Sequence, residues 1–261
     1  MITIMVANQK GGVGKTTTVL ELCNLLGSNY HVLGIDFDQQ RNFSKYSGAV
    51  IENVPTIYEV LTAKCLLSNA VQHLDKYDIL VSSKQLSNTK EFSELDDMWL
   101  LKDALEDAAY DFCIIDNAPA RGTLLNMSYL ASDYCIIITE CDDGSLDGIE
   151  EIADDIRVFK KRGNLTEVEI LGIVLNKTER TTLHSVVYDE LAETAKGIGT
   201  ELFKTVIRKS IAVSESKRAR KSLQDYDPEN HTGLDYRDLT NEVIERIRIA
   251  GRMTKEKGDS K

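Results

Sequence analysis

Residues 10–17 read Lys-Gly-Gly-Val-Gly-Lys-Thr-Thr, a string that holds the parts of a phosphate cradle. Gly11, Gly12 and Gly14 admit backbone conformations that other residues avoid. Their N–H groups, with those of Val13 and Thr17, can converge on phosphate oxygens at a helix N-terminus, where the helix dipole also favours an anion. Lys15 is spaced to reach the β- and γ-phosphates of a nucleoside triphosphate, and the Thr16 hydroxyl to ligate Mg²⁺. Two acidic positions complete the set. Asp116 closes the apolar run Phe112–Ile115, where a carboxylate can hold Mg²⁺ through water. Asp36 and Asp38 close the run that starts at Val32, and a carboxylate there can face the γ-phosphate. Of the two, Asp38 is the candidate for orienting the attacking water and for sharing the metal. The chemistry expected is in-line attack of water on the γ-phosphate of ATP, driven by positioning and electrostatics.

Such a cradle needs a strand before it and a helix after it. Apolar runs at Ile2–Ala7, Val32–Asp36, Asp78–Val81, Phe112–Asp116, Tyr134–Thr139 and Ile170–Leu175 read as strands, with a short one near Leu202–Val206. Several are unbroken Ile/Val/Leu runs, as in parallel strands buried on both faces. Helical patterns lie between them, at about 15–27, 56–64, 96–108, 123–131, 145–162, 181–196 and 235–250. The alternation predicts an α/β fold: a doubly wound, mostly parallel sheet with helices on both faces, in one domain over 1–250. Asp225–Gly233 reads as a surface loop, and 251–261 as a polar, frayed tail.

The 261 residues are 42% hydrophobic, enough for one sizeable core. No apolar run approaches the ~18 residues of a membrane span, and Met1–Ala7 lacks the basic flank and cleavage site of a signal peptide. A cytoplasmic location is expected. The five cysteines form no CxxC pair, and Cys113 and Cys135 sit in apolar runs as small hydrophobes. The net charge of −11 argues against a dedicated nucleic-acid binder. Yet Lys204, Arg208, Lys209, Lys217, Arg218, Arg220 and Lys221 crowd one stretch, opposed only by Glu215.

The P-loop is a deviant one: Gln9 stands where the ordinary pattern has glycine, and Lys10 adds a second lysine at the head of the loop. With Val32-Leu-Gly-Ile-Asp-Phe-Asp-Gln-Gln-Arg-Asn42, Asp111-Phe-Cys-Ile-Ile-Asp-Asn-Ala-Pro119, Gly172-Ile-Val-Leu-Asn-Lys177, Phe203-Lys-Thr-Val-Ile207 and Tyr226-Asp-Pro228, the chain resembles the ParA/Soj-type partition ATPases along nearly its whole length. These belong to the MinD/ParA group of deviant Walker-A proteins. The resemblance implies a homodimer formed around two ATP molecules, with Lys10 crossing to the partner's nucleotide, Lys15 acting in cis, Asp38 supporting hydrolysis and Asn176 at the adenine. It also implies binding to non-specific double-stranded DNA in the ATP state, on the nucleoid, and release when a ParB-type centromere-binding partner stimulates hydrolysis. The chain departs from the pattern at Gln39 and Arg41, where the family usually has Pro and Gly, at Ala118-Pro119 for Pro-Pro, and at Arg208-Lys209 for Pro-Arg. The first expected strand opens at Ile2, and operator-specific repression of the kind served by the helix-turn-helix domain of larger relatives is not expected.

Arg208, Lys209, Lys217, Arg218, Arg220 and Lys221 are the DNA-binding candidates, expected to bind phosphates with a steep salt dependence. A MinD-like membrane-cycling or protein-cargo-positioning ATPase is the alternative. Membrane cycling would need a terminal amphipathic helix, whereas Leu239, Val243, Ile244, Ile247 and Ile249 are expected to face the core. A nitrogenase-iron-protein type of reductase would need cysteines placed to bridge subunits around a cluster.

Overall fold

The computed structural model describes residues 1–87, 92, 95–119, 121–141, 145–161, 165–179, 182–251 and 253. Of the expected tail, only Gly251 and Met253 lie among the described residues. The chain alternates strand and helix. Strand β1 (Ile2–Ala7) leads to α1 (Lys15–Leu26), and β2 (Val32–Phe37) to α2 (Asn42–Ser47), α3 (Ile57–Leu61) and α4 (Leu67–Ala70). Next come β3 (Gln72–His73), β4 (Asp78–Leu80), a 3₁₀ turn at Asp96–Trp99 and α5 (Leu100–Leu105). Then β5 (Phe112–Asn117), α6 (Thr123–Ala131), β6 (Tyr134–Glu140), α7 (Ser145–Lys161), β7 (Glu169–Asn176) and α8 (Thr182–Gly197) follow. Three helices close the chain: α9 (Ala212–Ala219), α10 (Leu223–Tyr226) and α11 (His231–Ile249).

The sheet order is β3-β4-β2-β5-β1-β6-β7, parallel except for β3 against β4. This is the doubly wound sheet that the unbroken apolar runs predict. Side chains alternate between two cores. Met5, Ile35, Ile115 and Ile137 pack with α3, α5, α6, α7 and α8 on one face, while Ile4, Val6, Ile114 and Ile136 pack with α1, α2, α9, α10 and α11 on the other. All eight have no solvent exposure, and burying such a side chain is worth about 2 kcal/mol. With β1 central and flanked by β5 and β6, the loop after β1 stands at the carboxyl edge beside the end of β5. Crevices at that edge are where ligands bind in open α/β sheets.

Three expectations are corrected, and one strand was not anticipated. Leu202–Val206 is not a strand: it forms a single isolated bridge with β7, Leu202 to Ile173, because the Lys204 and Thr205 N–H groups donate to the Glu242 carboxylate (2.9 and 3.0 Å) instead of to a ladder. The segment read as a loop at Asp225–Gly233 contains the end of α10 and the start of α11, whose first turn is capped by Asn230 Oδ1 on Thr232 N (3.0 Å). The helix expected at 96–108 divides into a 3₁₀ turn and the short α5. Strand β3, two residues long, gave no periodic signal at all.

Candidate functional site

Gly14 caps α1 with φ 108° and ψ 12°, a left-handed conformation that suits glycine. A Cβ there would also lie 2.0 Å from Asn176 Nδ2. The first turn of α1 holds no acidic residue, so its positive dipole end is not offset by a carboxylate of its own. Lys15 is buried and its Nζ donates to the Lys10 carbonyl (2.9 Å), which folds the loop over its own lysine. Burial lowers the Lys15 pKa, against the pull of Asp116 and Asp38. Thr16 Oγ1 donates to Asp116 Oδ2 at 2.8 Å.

Asp116 is 1% exposed, and its Oδ1 has no hydrogen-bond partner among the described residues. It lies across from Asp36 in the β2–β5 register. Burial first, then the Asp36 charge, pushes the Asp116 pKa well above the usual carboxylate range. An orphaned buried carboxylate oxygen beside a threonine hydroxyl is a donor set with the chemistry of a Mg²⁺ site. The residues present therefore fit a magnesium nucleotide.

The two acids at the end of β2 have separate roles. Asp36 is fully buried and accepts from Ser44 N (2.7 Å), Ser44 Oγ (2.6 Å) and Asp38 N (3.2 Å), so it anchors the turn and α2. Asp38 lines the cleft, its Oδ1 accepting from Gln40 N (2.9 Å) and its carbonyl from Ser82 Oγ (2.8 Å). Arg41, in the position where glycine was expected, sits at φ 57° and ψ 34°, the left-handed region.

A cleft of about 570 Å³ gathers Gly11, Gly12, Gly14, Lys15, Thr16, Thr17, Asp38 and Asn176, all sequence-identified. Val13 is buried beneath the loop, and the Lys10 side chain is exposed and does not line the cleft. The six basic candidates divide. Arg208, Lys209 and Lys217 line the cleft, with Arg208 paired to Asp235 (2.6 Å) and Lys209 to Glu179 (2.7 Å), whereas Arg218, Arg220 and Lys221 are exposed. Sequence reasoning missed a clamp at the tip of β7. Asn176 Nδ2 donates to the Val13 carbonyl (2.6 Å), and Lys177 Nζ to the Gly12 carbonyl (2.6 Å) and Glu140 (2.7 Å). It also missed Asn42, Tyr46 and Tyr236 in the cleft wall, for which no short-range signal existed.

Residues 1–170 match the AAA domain family, and residues 117–257 match the NifH/frxC family of 4Fe-4S iron sulfur cluster binding proteins. The second span holds only Cys135 and Cys141. Cys135 has no exposure and burial drives its thiol pKa upward, so these residues do not fit a cluster. The chain is 31% identical to the sporulation initiation inhibitor protein Soj of Bacillus subtilis, over 92% of this chain and 97% of that one. It is 30% identical to the chromosome partitioning protein ParA of Caulobacter vibrioides, over 94% of each. Among solved structures it resembles the ATP complex of a McdA variant from Cyanothece, with a TM-score of 0.81 and 24% identity over 98% of this chain and 99% of that one.

Proposed function

The chain belongs to the ParA/Soj-type P-loop ATPases, and on that premise we propose that it is a Mg²⁺-dependent ATPase that dimerises on ATP, binds DNA without sequence preference in that state and segregates a DNA cargo. The observation that carries the reading is the convergence of Lys15, Thr16 and Asp38 in one cleft, with the buried Asp116 directly behind Thr16 and its second oxygen orphaned.

In this reading, the backbone N–H groups from Gly11 to Thr17 cradle the phosphates, and Lys15 turns from the Lys10 carbonyl to the β- and γ-oxygens. Thr16 and Asp116 would hold the metal, which supplies neutralisation of charge on the phosphates. Asp38 orients a water for attack at the γ-phosphorus; the bond to the bridging oxygen breaks and ADP leaves with the electron pair. Asn176, in the cleft wall, is assigned to the base, and Lys10, exposed at the head of the loop, to a second copy's nucleotide. Arg218, Arg220 and Lys221 are the exposed cations offered to DNA phosphates, and pairing two subunits would double them. Centromere-binding partners of ParB type are the expected stimulators. Among the described residues no helix is long and apolar enough to cross a membrane. Leu239, Val243 and Ile247 of α11 are core residues with no exposure and Ile244 is partly buried against them, whereas Ile249, expected to face the core, is exposed at the helix end. A cytoplasmic, nucleoid-associated protein fits these features.

The test is fluorescence anisotropy on a random-sequence duplex with ATP–Mg²⁺, ADP–Mg²⁺ or no nucleotide, over a salt series. Binding selective for ATP, falling steeply with salt and abolished by Arg218→Glu, Arg220→Glu and Lys221→Glu together, is expected. Equal or absent binding in all three states would overturn the DNA reading.

A further inference from the structure

Lys217 projects from α9 into the cleft that contains Gly12, Lys15, Thr16 and Asp38. It differs from the other basic residues of its stretch. Arg208 and Lys209 have carboxylate partners, and Arg218, Arg220 and Lys221 stand in solvent. Among the described residues the Lys217 ammonium has no carboxylate within ion-pairing distance; it lies over the Tyr46 ring, 5.3 Å from the centroid. Burial lowers its pKa, Asp116 pulls against that, and Lys177 adds repulsion. A desolvated cation against a single aromatic face is poorly compensated, and it faces a cleft built for an anion. Asp116 and Lys177 lie at the phosphate end, at the end of β5 and on the Gly12 carbonyl, so the Lys217 charge is felt there.

We propose that Lys217 binds the phosphate chain of the nucleotide in cis, as a further lysine beside Lys15, and thereby ties α9 to the bound nucleotide. The inference rests on the reading of the cleft as an ATP site. The neighbouring residue Arg218 and the C-cap residue Arg220 belong to the exposed basic group, so one short helix touches the nucleotide with one side and presents cations to solvent with the other.

Lys217→Met keeps the methylene stem over Tyr46 and removes the charge. A charge-assisted hydrogen bond predicts a loss of about tenfold or more in affinity for ATP–Mg²⁺ and ADP–Mg²⁺, read by displacement of a fluorescent nucleotide. Inorganic tripolyphosphate, which has no base, should weaken as a competitor in parallel, and Lys217→Arg should restore part of the loss. The melting temperature of the nucleotide-free variant should be unchanged or higher, since a desolvated cation is gone. Lys102→Met, which removes an equal charge from the exposed face of α5, should bind as the wild type does. Wild-type affinity in Lys217→Met would overturn the inference and leave the ATP site standing. A weakening for ATP but not for tripolyphosphate, or one accompanied by a lower melting temperature, would also overturn it. Wild-type protein that binds no nucleotide would overturn both.

Discussion

At the scale of single residues, Lys15 and Asp38 share the cleft but make different predictions. Lys15→Ala removes the buried cation under the loop and should abolish ATP binding in equilibrium dialysis. Asp38→Ala leaves the cradle intact, so ATP should still bind while single-turnover hydrolysis falls by about 10²–10⁴-fold, the usual worth of a positioned general base; turnover at the wild-type rate would remove Asp38 from its role. The cradle was legible in the sequence because eight contiguous residues carry it. The Asn176–Lys177 clamp was not, since it joins the P-loop to a strand tip more than 160 residues away, and only the sheet order brings the two together. Asp36 was legible as a strand-end acid, but of the three hydrogen bonds that take it out of the chemistry, two come from Ser44 of the short helix α2.

At the scale of elements, the turn between β2 and α2 is under backbone strain at Arg41, in the left-handed region. Its guanidinium reaches the Ile51 carbonyl (3.4 Å) and Glu52 (3.3 Å). Comparing Arg41→Gly with Arg41→Ala removes that side chain in both and leaves only the backbone term. The glycine variant should be the more stable by about 1 kcal/mol in urea unfolding, and equal stabilities would show that the turn relaxes. Helices with a cap or an apolar stripe could be read from the sequence, as with Thr56 and Glu59 boxing the start of α3. Helix α9 could be read only as a cluster of charge. Which of its cations turn inward depends on its packing against α2 and Tyr46, and no periodicity within eight residues records that.

At the scale of the whole molecule, the sheet was legible because five of its strands are long apolar runs, while its two-residue edge strand and the hydrogen bonding around Glu242 were not, being settled by tertiary contacts. The two faces also bury acids that hold protons. Burial pushes Glu21 up to about 7 from 4.5, and Asp36 up to about 6 from 3.8. The folded protein therefore keeps protons that the unfolded chain releases from about pH 4 upward, so stability declines as pH rises through that window and is flat above it. Each pK unit is worth about 1.4 kcal/mol, which puts the Glu21 share near 3 kcal/mol. Glu21→Gln keeps an oxygen to accept the Leu223 N–H, a bond of 2.9 Å in the wild type. The variant should gain stability relative to the wild type between pH 5 and pH 8, and a pH-independent difference would discount Glu21.

The stapling of the last helix to β7 also bears on how the protein behaves in concentrated solution. Beyond β7 lies an irregular segment rather than another strand, and Arg246 holds it there: its guanidinium donates to the Leu171 (2.9 Å) and Leu202 (2.6 Å) carbonyls and lies over the Phe203 ring, 4.0 Å from the centroid. The run Ile173-Val174-Leu175 is thereby kept from acting as a template for other chains, as an open strand edge of that composition would. Arg246→Ala should leave the fold standing yet raise light scattering over hours at high protein concentration, with the increase steepening under mild warming. One guanidinium near the end of the chain would thus set the ceiling on how densely these molecules can gather without precipitating.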